Sequence, residues 1–244
     1  MKKTIFIALC ALITLFSSGC VVVNYTDSNA VSGKGTLEKY VINVGEYNGI
    51  KVEGLCEIQY YSAPSNTVTL EVQSNLREYF VVEVENGVLI LRTTKKIRYN
   101  SDKAPVLTVS TPALNRLTIT GACTFKTVDR IKADTFILDI NGAGDGKVEF
   151  DANRLIANVS GAGSFELSGK ADNADIKFSG AGDLKAFSLL IREASVIFSG
   201  AGSIEINCSE KLFIDASGVG SLEYKGSPIL SLSSRGPVSI KKAD

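Results

Sequence analysis

The 244-residue sequence contains no histidine and no tryptophan, and its one methionine is Met1. The missing histidine removes the commonest general base and the commonest metal ligand. With 26 basic and 26 acidic residues the chain carries no net charge. That leaves no electrostatic case for nucleic acid or an anionic membrane surface as partner. No segment shows helix-length apolar periodicity, and no column of outward residues collects carboxylates. Aromatic platforms for stacking sugars are scarce: Tyr60, Tyr61, Tyr79 and Tyr99 fall among packed-looking β segments.

What is present begins with an export signal. Residues 1–20 give Lys2 and Lys3, an apolar run from Thr4 to Phe16, then Ser17-Ser18-Gly19 before Cys20. The run is short for a membrane span. Cys20 predicts a bacterial lipoprotein, cleaved before the cysteine and acylated on it, although Ser17 stands where leucine is preferred. Ordinary signal-peptidase cleavage nearby, with Cys20 incidental, is the alternative. Residues 21–40 mix Asn, Asp, Ser and Gly without sustained periodicity and predict a tether.

The C-terminal half is organised by a recurring motif: TGACTF at 120–125, NGAGDG at 141–146, SGAGSF at 160–165, SGAGDL at 179–184, SGAGSI at 199–204 and SGVGSL at 217–222. The first glycines, Gly121, Gly142, Gly161, Gly180, Gly200 and Gly218, are spaced by 18–21 residues; Gly144, Gly163, Gly182, Gly202 and Gly220 follow two positions later. A fixed period of this size marks stacked repeats. Two before the first glycine stand Ile119, Ile140, Val159, Phe178, Phe198 and Ala216; four before stand Leu117, Leu138, Ala157, Ile176, Val196 and Ile214. The positions between are mostly polar, and the alternation resumes afterwards at Phe125, Phe165, Leu184, Ile204 and Leu222. Such alternation is a strand with one buried face. Each unit is therefore strand, glycine corner, strand and a short polar connection.

Without crossover helices, parallel strands can pair only if the chain coils and advances one strand spacing per turn, about 4.8 Å. The fold class is all-β: a parallel β-solenoid, read as a right-handed β-helix, over residues 111–244. A single rung orders too much chain for the core it buries, so stability must come from stacking. The corner predicts positive φ and close approach to the next rung. The alanines between the glycines (Ala122, Ala143, Ala162, Ala181, Ala201) are expected to face inward.

Residues 41–110 stay β but lose the period. KVEGLCEIQY (51–60) reads as a degenerate first rung, with Ile50, Val52, Gly54, Ile58 and Tyr60 in the repeat columns. FVVEVENGVLILR (80–92) is a hairpin around Asn86-Gly87, a type I′ pair. This N-terminal portion is expected to cover the first rung. At the far end Arg235 is read in the first-glycine position, with Pro237, Lys241 and Lys242 discouraging strand addition.

NGAGDG resembles a piece of the calcium-binding nonapeptide roll, but that roll repeats about every nine residues. Asp145 and Asp183, alternating with Ser164, Ser203 and Ser221, fit turn chemistry better. No catalytic, metal or cofactor site is assigned. Cys56 and Cys123 both lie two residues after the motif glycine. If the degenerate rung stacks on the first true rung they are neighbours within disulfide reach. Cys208 reads as a small buried residue.

The glycine-turn repeats, the ENGVLILR hairpin, the stretch APVLTVSTPALNRLTITG and the lipoprotein signal together resemble the head-GIN-domain family of putative auto-transporter adhesins, exported proteins frequent in Bacteroidota. The resemblance runs from about residue 40 to the C-terminus. It implies a β-helical fold and an envelope location, but no particular ligand.

The first functional expectation is a non-enzymatic, lipid-anchored envelope protein, associated with the outer membrane through its lipid. Its outer face would contact an envelope protein or a glycan; the leaflet and homo-oligomer formation stay open. A carbohydrate-active enzyme on the same scaffold, or a structural or signalling-associated periplasmic module, are the alternatives.

Overall fold

The computed structural model describes residues 30–99 and 104–243; the leader and Cys20 lie outside them. Ahead of the repeats come β1 (Val31–Ser32), β2 (Leu37–Val41), β3 (Gly49–Val52), β4 (Leu55–Ser62), β5 (Thr67–Gln73), a short 3-10 helix (Ser74–Tyr79), β6 (Phe80–Glu85), β7 (Val88–Thr93), β8 (Ile97–Arg98) and β9 (Val106–Thr111). The repeats form β10 (Arg116–Ile119), β11 (Ala122–Thr127), β12 (Ile131–Ile140), β13 (Gly146–Val159), β14 (Ala162–Phe178), β15 (Ala181–Phe198), β16 (Ala201–Ala216), β17 (Val219–Lys225), β18 (Ile229–Ser234) and β19 (Val238–Lys242).

These strands make a parallel β-solenoid of about seven turns. Like stacks on like: β13 and β14 pair in parallel from Gly146↔Phe165 to Val159↔Phe178. β14 and β15 pair from Ala162↔Ala181 to Phe178↔Phe198. The inward columns fill the interior completely. Ile119, Ile140, Phe178, Phe198 and Ala216 are all nearly inaccessible, as are Leu117, Leu138, Ile176, Val196 and Ile214. Aromatic rings meet inside, Phe136 with Phe150 at 5.1 Å between centroids and Phe178 with Phe198 at 5.6 Å. One column has a gap, Gly146, between Phe125 and Phe165. A Cβ there would lie 2.5 Å from the Phe165 ring, so that ring occupies the space the glycine leaves.

The corners explain both glycine rows. At Gly142 and Gly161 a Cβ would sit 1.9 Å from the carbonyl oxygen of the glycine one rung earlier. In the second row the obstruction is compounded by conformation. Gly163 has φ +136, and its Cβ would lie 1.7 Å from the Gly144 oxygen. Positive φ thus belongs to the second row, and close approach to both. The intervening alanines face solvent, contrary to the inward placement expected from the sequence. Period-two alternation runs unbroken through the corner. Both glycines therefore take inward positions and the alanine between them an outward one, and Val219 in that row is 58% exposed.

The N-terminal portion departs from chain order. The expected degenerate rung is real: β3 pairs with β10 and β4 with β11, in the registers Ile50↔Leu117, Val52↔Ile119 and Cys56↔Cys123. It is not, however, the end of the stack. On its other side β3 pairs in parallel with β7, and β4 with β9. The chain lays this rung, travels outward to build the next one, then crosses back to continue as β10. Antiparallel strands finish the end: β5 on β9, β2 on β5, and β6 on β7. The β6–β7 turn has positive φ at Asn86 (50°) and Gly87 (75°), as a type I′ hairpin requires. Beneath this cap Val68, Leu70, Val72 and Leu76 are fully buried.

Two boundaries shift from expectation. Part of the stretch read as a tether belongs to the fold, since β1 pairs with β8 and β2 with β5. These are edge strands with mostly exposed side chains, so their sequence carries no buried-face alternation. At the far end Gly236, not Arg235, takes the first-glycine place. The ladder runs Ala216↔Ser234, and a Cβ on Gly236 would lie 2.6 Å from the Gly218 oxygen. The last rung keeps the length of the one before it. Arg235 falls in the place held by Ser160, Ser179, Ser199 and Ser217 in the preceding four corners, with its Nη2 3.3 Å from both Asp215 carboxylate oxygens.

Gly163→Ala should lower stability by about 3 kcal/mol or more, combining backbone strain with overpacking. Gly45→Ala, with nothing within 4 Å of the added carbon, should be close to neutral. Chemical denaturation of both variants checks the pair. Tyr47 supplies a pH signature. Its hydroxyl lies 2.8 Å from Ser110 O and 3.1 Å from Thr67 O, and burial pushes its pKa above the ordinary tyrosine range. The folded state excludes the phenolate and the unfolded state does not. Its contribution is therefore whole below the ordinary tyrosine pKa of about 10 and is lost as pH rises through the folded value. Thermal melts from pH 9 upward should fall more steeply in the wild type than in Tyr47→Phe, once each is referenced to its neutral-pH Tm.

Candidate interaction surface

The solenoid has no hollow interior, so its chemistry must sit on its outer faces. Several outward charges on the two flat faces pair from rung to rung. Arg116 Nη1 lies 3.2 Å from Asp139, Lys147 Nζ 2.8 Å from Glu166, and Lys211 Nζ 3.1 Å from Glu193. Asn158 donates to Asp139 Oδ1 at 2.8 Å, and Ser160 to Asn141 Oδ1 at 2.7 Å. Exposed pairs of this kind contribute little individually. The motif aspartates are used in the same way. Asp145 accepts the Ser164 amide of the next rung at 2.9 Å, and Asp183 accepts the Ser203 hydroxyl.

The third side of the coil differs. It lies between each post-glycine strand and the following pre-glycine strand. Every change of rung length is absorbed there. The register shifts between Glu166 and Ser168, between Ala186 and Leu190, and between Ile191 and Glu193. A groove of about 610 Å³ results, crossing successive rungs along the stack. Its floor is made by Ala133, Ala152 and Ala171, which are ladder partners, continued by Ile191. Its walls carry Asp151, Asp172, Lys170, Arg192, Asn207 and Glu210. Small floor residues leave the depth; the bulged backbone raises the walls.

The groove's electrostatics are mixed. Arg192 Nη1 lies 3.1 Å from both Glu193 and Glu210, and those carboxylates raise its pKa, Glu210 first. Asp151 is held at 3.2 Å by Arg130 through one oxygen, while its buried Oδ1 has no hydrogen-bond partner. Asn207 donates to Phe187 O at 3.1 Å. Leu190, more than half exposed (54%), stands at the groove as an apolar contact. Such a site offers carboxylate, guanidinium, ammonium, amide and methyl groups at rung spacing to an elongated partner. No group of three or more potential metal ligands occurs among the described residues.

The residues singled out from sequence are placed as follows. The two glycine rows line the first corner and shape the stack, away from the groove. Cys56 and Cys123 are ladder partners near the capped end, both buried. Cys208 is buried alone, its Sγ 3.0 Å from Lys211 O. None of the groove residues was picked out in advance. The variable rung length that creates the groove also breaks the column alignment there. That irregular spacing was the available signal.

Comparison with known proteins follows the fold. Three solved structures, each covered completely by 88% of this chain, superpose well. A putative adhesin from Bacteroides fragilis NCTC 9343 has a TM-score of 0.81 at 23% identity. A putative adhesin from Parabacteroides merdae ATCC 43184 has 0.65 at 20%. A putative lipid binding protein from Parabacteroides distasonis ATCC 8503 has 0.67 at 21%. At these identities the likeness shows the fold alone. No curated protein matches the chain. The family model described as putative auto-transporter adhesin, head GIN domain, matches residues 46–228, from the degenerate rung to the penultimate one, and the chain belongs to that family.

Proposed function

We propose that this protein is a non-enzymatic interaction module of the cell envelope, anchored by acylated Cys20, whose third-side groove receives an elongated envelope partner, glycan or extended polypeptide. The groove itself carries this reading. There unequal rung lengths open a trough lined by the Asp151 carboxylate, the Arg192 guanidinium and the exposed Leu190. Family membership supports an adhesive role, and the leader supports export. Two carboxylates, Asp151 and Asp172, in one groove also motivate a second reading, a carbohydrate-active enzyme on this scaffold.

Glycan and peptide arrays probed with the soluble domain, followed by titration of the best ligand, test the groove. Arg192→Ala and Leu190→Asp should each weaken binding at least about tenfold, the loss expected of a residue worth about 1.4 kcal/mol at an interface. Their melting temperatures should stay close to wild type, because both side chains are exposed. Binding that survives both changes would place the ligand elsewhere, and release of new reducing ends from a bound glycan would favour the enzyme. For the anchor, Cys20→Ser should move the protein from the membrane to the soluble fraction. Protease added to intact cells should degrade the wild type if it faces outward. A wild-type protein that is already soluble would refute the lipid anchor.

A further inference from the structure

The rung formed by β3 and β4 meets β10 and β11 across a seam unlike any other in the stack. Elsewhere in the repeats, neighbouring rungs are joined by one short connection. Here the whole excursion of residues 63–115, including the cap and the rung built from β7 and β9, lies between two strands that must pair in register. Closing so long a loop carries the largest entropic penalty in the stack. At this seam the second-glycine column changes identity. From Gly144 onward it holds glycines whose backbones stack directly, but across the seam it holds Cys56 opposite Cys123.

The two cysteines are ladder partners, about 4.8 Å apart by strand spacing, within the range a disulfide spans. Alternation places both side chains inward, and each is 3% exposed. They are free thiols in this structure. The hydrogen bond that Cys56 donates to Cys123, together with burial, holds the Cys56 thiol well above the ordinary range, so it is not a reactive thiolate once the seam is closed. Cys208 has no such neighbour: its sulfur is spent on the Lys211 and Arg192 carbonyls at 3.0 and 3.4 Å.

We propose that Cys56 and Cys123 form a cross-rung disulfide that locks the seam between the capped end and the repeat stack. The oxidant is a disulfide, either of an oxidoreductase in an exported compartment or of glutathione. One cysteine thiolate attacks it to give a mixed disulfide and releases one oxidant thiol. The second cysteine then displaces the other. Both protons leave with the oxidant, which ends as two thiols, on one oxidoreductase or on two glutathione molecules; the protein has lost two electrons and gained one S–S bond. The exchange occurs while the seam is being laid, before burial closes over the sulfurs. The long intervening loop makes this the position at which a cross-link constrains the unfolded chain most.

The test uses the full chain purified two ways: exported, and made reduced in the cytosol then refolded in a glutathione redox buffer. Free thiols are alkylated in denaturant, and trypsin then releases residues 52–77 and 117–126, each with one of the two cysteines. Without reductant the two peptides should be recovered joined, with Cys208 alkylated. Reductant should lower the Tm of the oxidised protein and leave a Cys56→Ala/Cys123→Ala variant unchanged. Both peptides alkylated in both preparations would overturn the proposal, as would a reductant-induced Tm shift that persists in the double variant. Joining only after refolding would keep the chemical pairing and locate the failure in export. If the double variant does not fold, the peptide result from the wild type still decides.

Discussion

The structure depends on backbone stacking on backbone at one corner. In the turns from Gly142 to Gly220 two glycines present their Cα atoms to the carbonyl oxygens of the preceding turn, with no room for a methyl group between, and in the flanking turns one does. That contact fixes the rung-to-rung register at one point per turn. Once it is fixed, period-two alternation on either side brings isoleucine onto leucine and phenylalanine onto phenylalanine. It also sets asparagine, aspartate and arginine within reach of partners one strand away. The hydrophobic core supplies the driving force, and the corner decides which residues share it.

The third side obeys a looser constraint. Glycine contacts occur there only in single rungs, Gly169 against the Phe150 oxygen and Gly226 against the Cys208 oxygen, and form no continuous row, so the chain can gain or lose residues there without disturbing the corner. The bulges between Ala186 and Glu193 are the outcome, and the groove is their geometric consequence. Regularity and variation are therefore segregated: a rigid edge that stacks, and a variable edge that forms a surface. Placing an interaction site on the variable edge costs the stack little, since groove residues such as Arg192 and Leu190 contribute nothing to the interior.

The repeat portion was legible because corner and strands obey two simple periods. The solenoid, the columns, the hairpin at Asn86-Gly87 and the register of the degenerate rung all follow from them. Four features were hidden for identifiable reasons. The alanines' outward direction requires knowing that alternation survives the corner; glycine, having no side chain, masks its own inward position. The order of rungs at the N-terminal end depends on a return across β3 and β4, which no local pattern reports. The groove is built where the alignment fails, so residues such as Asp151, Leu190 and Arg192 occupied no column. Edge strands β1 and β2 were missed because exposed strands have no buried face to announce them.

The stacking claim is most directly tested by distance measurements between spin labels on the outward alanine row, with the buried cysteines replaced. Labels at Ala122 and Ala201 should be separated by about four strand spacings, roughly 19 Å, and labels at Ala122 and Val219 by about five, roughly 24 Å. A stepwise increase of about 4.8 Å per rung is the expected result. Distances that fail to grow with rung number, as in a sandwich of antiparallel hairpins, would contradict the account.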